Sequence, residues 1–346
     1  MGSSIDFGAL GNLLIFIVQQ MMYFSIPLMV VALGGMFSER SGVVNIALEG
    51  IMILGAFMGV LFIFLVQQAG GDTSGSISGQ PLLLVALVIA AVSGIVFSLP
   101  HAYASVHMKA NQVISGTAIN MLAPALAVYV ARMIRSVQQI PFNNAFYIPS
   151  VPVLGKIPVI GALFFQKTFL TTYIGFALLV VSWIVLYKTP FGLRLRACGE
   201  HPQAADSVGI SVYKIRYAGV AISGALAGIG GLVFVVTTAT TFDATVAGYG
   251  FLALAVLIFG QWKPTRILMA AFFFGLMKTI SVTYTSIALT VNNSEGSVVH
   301  SLSNLPIPSA VYKMIPYVAT LIVLAFTSRN SMAPKASGVP YDKGSR

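Results

Sequence analysis

Charge is nearly missing from this chain. Asp, Glu, Lys and Arg make up 8% of its 346 residues, and only nine of them are acidic. Soluble domains carry about 25% charged residues, so a water-soluble fold is excluded. Cysteine occurs once, at Cys198, which excludes an intramolecular disulfide. The expected state is a reduced thiol facing the cytosol. No G-x-x-x-x-G-K-S/T run occurs, so the chain has no phosphate-cradling loop. The four histidines show no metal-ligand spacing, and no metal site is expected. No nucleophile–base pair marks a membrane enzyme. MGSSIDFGALGN lacks a basic n-region and precedes an apolar run too long for an h-region, so no cleaved signal peptide is expected.

Hydrocarbon fills the space that charge leaves. Hydrophobic residues are 57% of the chain, and the mean hydropathy is +0.89. The apolar runs are continuous rather than alternating and reach the roughly 20 residues needed to cross a bilayer as helix. Backbone amides in lipid must bond internally, so continuous runs predict a helix bundle rather than a barrel. The expected fold is an all-α polytopic membrane protein. Its nine candidate spans cover 11–35, 43–66, 82–106, 112–132, 169–187, 217–237, 247–261, 266–289 and 310–327. The seventh is short for a full crossing. Residues 1–327 read as one transmembrane domain, and 328–346 as a disordered cytoplasmic tail. The Pro- and Gly-rich stretch 137–168 reads as an extended outer lid with at most one short helix.

One long charged island interrupts the apolar runs, from Lys188 to Arg216. Placing it inside also places Arg40, Lys109, Lys263, Arg266 and the basic tail inside, as positive-inside bias requires. The N-terminus is then outside and the C-terminus cytoplasmic. The outer loops QQAGGDTSGSISGQ and NNSEGS carry acids and no bases. The net charge of +10 is explained by anionic inner-leaflet lipid, with no nucleic-acid partner. Within the island, Pro202 suits a first helical position, and Gly209 suits the left-handed residue that closes a helix. About two turns between them are too short to be stable in isolation and need a partner surface.

Three motifs carry a family resemblance: SGVVNIALEGIMILGAFMGV at 41–60, FGLRLRACGEHPQAADSVGI running into SGALAGIGG, and AGYGFLALAVLIFGQWKP at 247–264. In this order they resemble ABC importer permeases for ribose-like sugars, branched-chain amino acids and nucleosides, over roughly residues 20–327. NIALEG and FLALAVLIFGQWKP look closest to the nucleoside branch. The resemblance implies a permease subunit of the bacterial inner membrane that is not itself an enzyme and binds no cofactor. ATP and Mg would be used by separate cytoplasmic ATP-binding subunits. A second permease subunit, identical or different, and an extracytoplasmic solute-binding protein or lipoprotein are the other implied partners. Gly199, Glu200, Pro202, Ala204, Ala205 and Gly209 would form the segment coupled to the ATPase.

Polar residues within spans are costly and invite functional readings. Asn45 and Glu49 are four apart and share a helix face. They either face the pathway or, for Glu49, pair with Arg40 or Lys109. Asn111, Gln112, Ser115, Thr117 and Asn120 cluster at the start of the fourth span. Their amides can read a purine edge or ribose hydroxyls, or bond neighbouring helices. Lys278 lies about 18 Å along its span and snorkels outward, pairs with a carboxylate or lines the cavity. Asp243 is a candidate partner for it, or a contact for an external binding protein. Gly224, Gly228 and Gly231 read as helix-packing positions.

Two transport readings follow. One is an ABC permease for a nucleoside or sugar-like solute. The other is an ion-coupled secondary transporter built on Glu49, Asp243 and Lys278, which the scarcity of buried carboxylates disfavours.

Overall fold

A computed structural model describes residues 4–5, 7–69, 79–152, 155, 157, 161–284, 288–293, 296–301, 308–327 and 332–344. Its helices are α1 (Phe7–Arg40), α2 (Leu48–Ala69), α3 (Gln80–Val106), α4 (Gln112–Arg135), α5 (Leu170–Lys188), α6 (Pro190–Glu200), α7 (Pro202–Ser207), α8 (Val212–Thr238), α9 (Tyr249–Phe259), α10 (Pro264–Thr283) and α11 (Ser309–Thr327). Among the described residues, seven helices are long and apolar enough to cross a membrane, and Tyr249–Phe259 and Ala310–Ile322 are shorter apolar helices. The chain is a polytopic helical membrane protein. At 1.5 Å per residue α9 reaches only about 16 Å, half of the hydrocarbon core.

The described residues form two compact units. One comprises residues 1–25, 147–169 and 272–329. Here strand β1 (Ser4–Ile5) pairs antiparallel with β6 (Ala288–Asn293), which pairs with β7 (Gly296–Ser301). Strands β3 (Tyr147–Ser150) and β4 (Gln166–Phe169) form a hairpin around a five-residue π turn, Gly161–Phe165. It is tied to α1 where Gln19 Nε2 donates to the Ala162 carbonyl at 2.6 Å and the Tyr23 hydroxyl bonds the Lys167 carbonyl. The expected lid is therefore partly strand. The loops 70–78 and 294–295, the tail end with Arg346, and parts of 153–160 lie outside the described residues.

The other unit comprises residues 26–146, 170–271 and 330–346. Its centre is α8 packed against α2 and α3, and glycine sets how close they come. A β-carbon on Gly94 of α3 would overlap the Gly224 carbonyl of α8, and one on Gly228 would overlap the Ala90 carbonyl. On the α2 side, Gly55 meets Gly228 and Gly231 meets the Met52 carbonyl. Such backbone approach lets membrane helices gain dispersion contacts where hydrocarbon solvent offers no hydrophobic drive. A short strand pair, β2 (Ile140–Pro141) with β5 (Thr241–Phe242), closes one end of this unit.

The tail departs from the sequence expectation of disorder. Residues 332–344 pack on the island, with Ala336 and Tyr341 buried. Lys109 Nζ lies 2.8 Å from Asp342 Oδ2. That hydrogen bond holds the Asp342 carboxyl below its ordinary pKa. The pair's contribution is therefore present above about pH 4 and fades as pH falls through the lowered value. Being exposed, the pair contributes little by itself; the buried contacts hold the tail.

Candidate functional site

The island folds as two consecutive helices, α6 and α7, and the first turn of α8; the sequence expectation covers only α7. Thr189 caps α6, its hydroxyl accepting from Gly192 N at 3.2 Å, and Pro190 follows it. Thr-Pro is a legible start signal. Leu195, Cys198 and Gly199 form the buried face of α6, and Gly192 lies against the Val185 and Leu186 carbonyls of α5. Cys198 is fully buried rather than facing the cytosol, and burial pushes its thiol up to about 11.

Helix α7 is six residues long, and Gly209 behind it has a φ of 82°. Pro202 and Ala205, three apart, point inward. Gln203, Ala204, Ser207 and Val208 are exposed. Gly199 presses on the Arg40 carbonyl, and Glu200 lies 3.8 Å from Arg40 Nη1. Arg40 also donates to the Trp262 carbonyl at 3.1 Å, while the Trp262 indole donates to Glu39 at 2.6 Å. The island, the α1 terminus, the 260–263 turn and the tail thus meet at one end of this unit. Of the six candidate coupling residues, Ala204, Glu200 and Gly209 offer surface; the other three secure the hairpin from beneath.

Asn45, Glu49, Gln112 and Asn120 gather around two breaks in the helices. Residues 41–47 are non-helical, so their amides and carbonyls need partners that lipid does not supply. Gln112 Oε1 accepts from Val44 N at 2.7 Å, and His101 Nε2 lies 3.0 Å from the Val44 carbonyl. Asn45 Oδ1 accepts from Ala47 N at 3.1 Å, and its Nδ2 donates to Ser223 at 2.9 Å. Asn120 donates to the Ile46 carbonyl at 2.9 Å and accepts from Gly50 N at 2.7 Å. Asn111 caps α4, accepting from Val113 N at 2.9 Å.

Glu49 serves the second break. Its Oε1 accepts from Gly248 N at 3.0 Å and its Oε2 from Gly250 N at 2.6 Å. The carboxylate closes the N-terminus of α9, where four amides lack helical partners and the macrodipole is positive. The expected pairing of Glu49 with Arg40 or Lys109 is not found, since those cations face Glu200 and Asp342. Asp243 is exposed in the turn before α9. Lys278 is half-buried in the other unit. His101 and Ser223 were missed. The one sequence signal for His101 is an imidazole stranded in an apolar run beside Pro100.

The family profile described as branched-chain amino acid transport system / permease component matches residues 17–324. The guanosine ABC transporter permease protein NupQ of Bacillus subtilis is 44% identical, over 97% of this chain and 99% of its own. The nucleoside ABC transporter permease protein NupC of Lactococcus lactis is 40% identical, over 96% of this chain and 98% of its own. A putative glucose ABC transporter permease of Haloferax volcanii is 30% identical, over 86% and 87% respectively. No solved structure matches the chain.

Proposed function

The chain belongs to the branched-chain amino acid transport system permease family, membrane components of ABC transporters, and we propose that its cargo is a nucleoside. The observation that carries this reading is near-full-length similarity to two permeases named for guanosine and nucleoside transport. The permease is not itself catalytic; ATP hydrolysis belongs to a separate subunit. In this reading the end bearing α6, α7, the 260–263 turn and the tail faces the cytoplasm, where the ATPase engages α7. A second permease subunit completes the pathway, and an extracytoplasmic binding protein delivers the solute.

Asn45, Glu49, Gln112 and Asn120 then act by holding the two breaks in place, because their bonded polar atoms are spent on backbone groups and on Ser223, while Gln112 Nε2 has no hydrogen-bond partner. Asn45, Glu49 and Asn120 shape the pathway without reading the cargo. The test of cargo is uptake of radiolabelled guanosine by cells with and without this chain. Excess adenosine should compete and ribose or leucine should not; competition by leucine alone would reject a nucleoside cargo.

The exposed face of α7 supports a second expectation. Ala204→Trp places a large side chain where the ATPase would seat, without touching the buried Pro202–Ala205 face. Transport should fall more than about tenfold, equivalent to roughly 1.4 kcal/mol of lost coupling, while the amount of permease in the membrane is unchanged by immunoblot. Uptake at the unmodified rate would remove α7 from the ATPase contact.

A further inference from the structure

Residues 332–344 form a strap that reaches α6, the α1–α2 break and α8 around the coupling hairpin. Ala336 N donates to the Gly199 carbonyl at 2.8 Å, at the end of α6. Gly338 N donates to the Gly42 carbonyl at 3.2 Å, in the α1–α2 break. Arg216 on α8 donates from Nη1 to the Val339 carbonyl at 3.0 Å. Tyr341 closes the sequence of contacts, buried in one cluster with Cys198 of α6, Ala205 of α7 and Val212 of α8, and edge-on to Tyr213 at 5.5 Å.

Two features distinguish this from a tail resting on a surface. Arg216 is fully buried, with Nε and Nη2 lacking a hydrogen-bond partner. A guanidinium so placed is costly to keep out of water, and the strap's Val339 carbonyl is the acceptor that receives it. Second, α7 has only six residues and cannot hold its own shape. Its buried Ala205 shares one cluster with Tyr341, which lies edge-on to Tyr213 of α8.

We propose that the strap is a splint of the coupling machinery, joining α7 to α8 so that displacement of the hairpin by the ATPase is delivered to the transmembrane core. Tyr341 and Arg216 are its positioning residues. The load path is short: α7 through Ala205 and Tyr341 to Val212, then along α8 to the glycines that meet α2 and α3. Without the splint α7 would still meet the ATPase, but its motion would be taken up by the hairpin itself. This inference rests on the reading that α7 is the ATPase contact.

The chain's single cysteine supplies a readout independent of transport. Cys198 lies under Tyr341, and its raised pKa of about 11 leaves about 100-fold less thiolate than at an ordinary value near 9. The experiment compares unmodified permease, Tyr341→Phe, Tyr341→Ala and a chain ending at residue 331, each reconstituted with its partner permease and ATPase subunits. N-ethylmaleimide labelling of Cys198 should rise at least about tenfold in Tyr341→Ala and in the shortened chain, and stay low in Tyr341→Phe. In the same vesicles, guanosine transported per ATP hydrolysed should fall at least about fivefold in the first two, with the ATPase still bound and hydrolysing. Tyr341→Phe should restore the ratio. An unchanged ratio alongside exposed Cys198 would make the strap a passive cover, and a protected Cys198 in Tyr341→Ala would show that the strap does not hold the hairpin; either result overturns the proposal. Should the unmodified complex bind no ATPase, the ABC reading of α7 fails first and the splint with it, a result separable from the other two because it appears without any substitution.

Discussion

Glu49→Ala should unseat the start of α9 and abolish most transport. The side chain is only 8% exposed, and its two oxygens receive Gly248 N and Gly250 N. Hydrogen bonds to a charged group contribute about 1.5–3 kcal/mol each, so losing both costs on the order of 3–6 kcal/mol. Alanine also leaves the positive end of a helix dipole without its anion. The expected result is a clear drop in thermal unfolding temperature of the detergent-purified complex, with uptake reduced more than about tenfold. Glu49→Gln keeps an acceptor and should fall between. The alternative role, contact with cargo, makes a different prediction: normal thermal stability and a raised KM. Measuring both quantities on the same preparation separates them.

The second large effect belongs to the α3–α8 contact. Leucine at Gly94 or Gly228 has nowhere to go, because the opposing atoms are backbone carbonyls of Gly224 and Ala90. Overpacking in a core that can shift costs about 1–3 kcal/mol; here no neighbouring side chain can move aside, and the helices must part along their length. Gly228→Leu would also break the α2 contact at Gly55. Both variants should fail to give a monodisperse peak by fluorescence-detected size exclusion. Gly11→Ala is the matched control, since a β-carbon there meets nothing within 4 Å, and it should behave as the unmodified chain does. A normal elution profile for Gly228→Leu would mean that α3 and α8 are not this close.

The spans were legible because a bilayer imposes a length on apolar runs, and that signal is local. Nine candidate segments correspond to seven long helices and two shorter ones among the described residues. The start of α4 could also be read, since Asn111 caps it from one residue away. The partners of the polar residues could not. Asn120 bonds Ile46 across 74 positions and Glu49 bonds Gly250 across 201, and nothing near either residue announces its partner. Their acceptors and donors are backbone groups, which every residue possesses, so the pattern that made these amides and carboxylates look like cargo contacts is the same pattern that satisfies a broken helix. The tail misled for a related reason. Its Pro, Gly, Ser and Lys composition reads as disorder, while main-chain bonds and a single aromatic, Tyr341, hold it in place.

The α6 helix is the one element the sequence offered and the reading passed over. Thr189-Pro190 marks its start, and Leu195, Cys198 and Gly199 recur on one face. Arg194 and Arg196 interrupt its apolar pattern, because they flank the buried face.

The central claim is that this chain moves a nucleoside across the membrane by coupling to ATP hydrolysis on another subunit. The direct measurement is guanosine uptake into proteoliposomes holding this chain, its partner permease and its ATPase, with the binding protein present on the uptake side. Uptake should require ATP on the ATPase side and vanish when the ATPase is omitted, whatever ion gradient is imposed. Guanosine accumulation by the permease alone, driven by a proton or sodium gradient, would contradict the account.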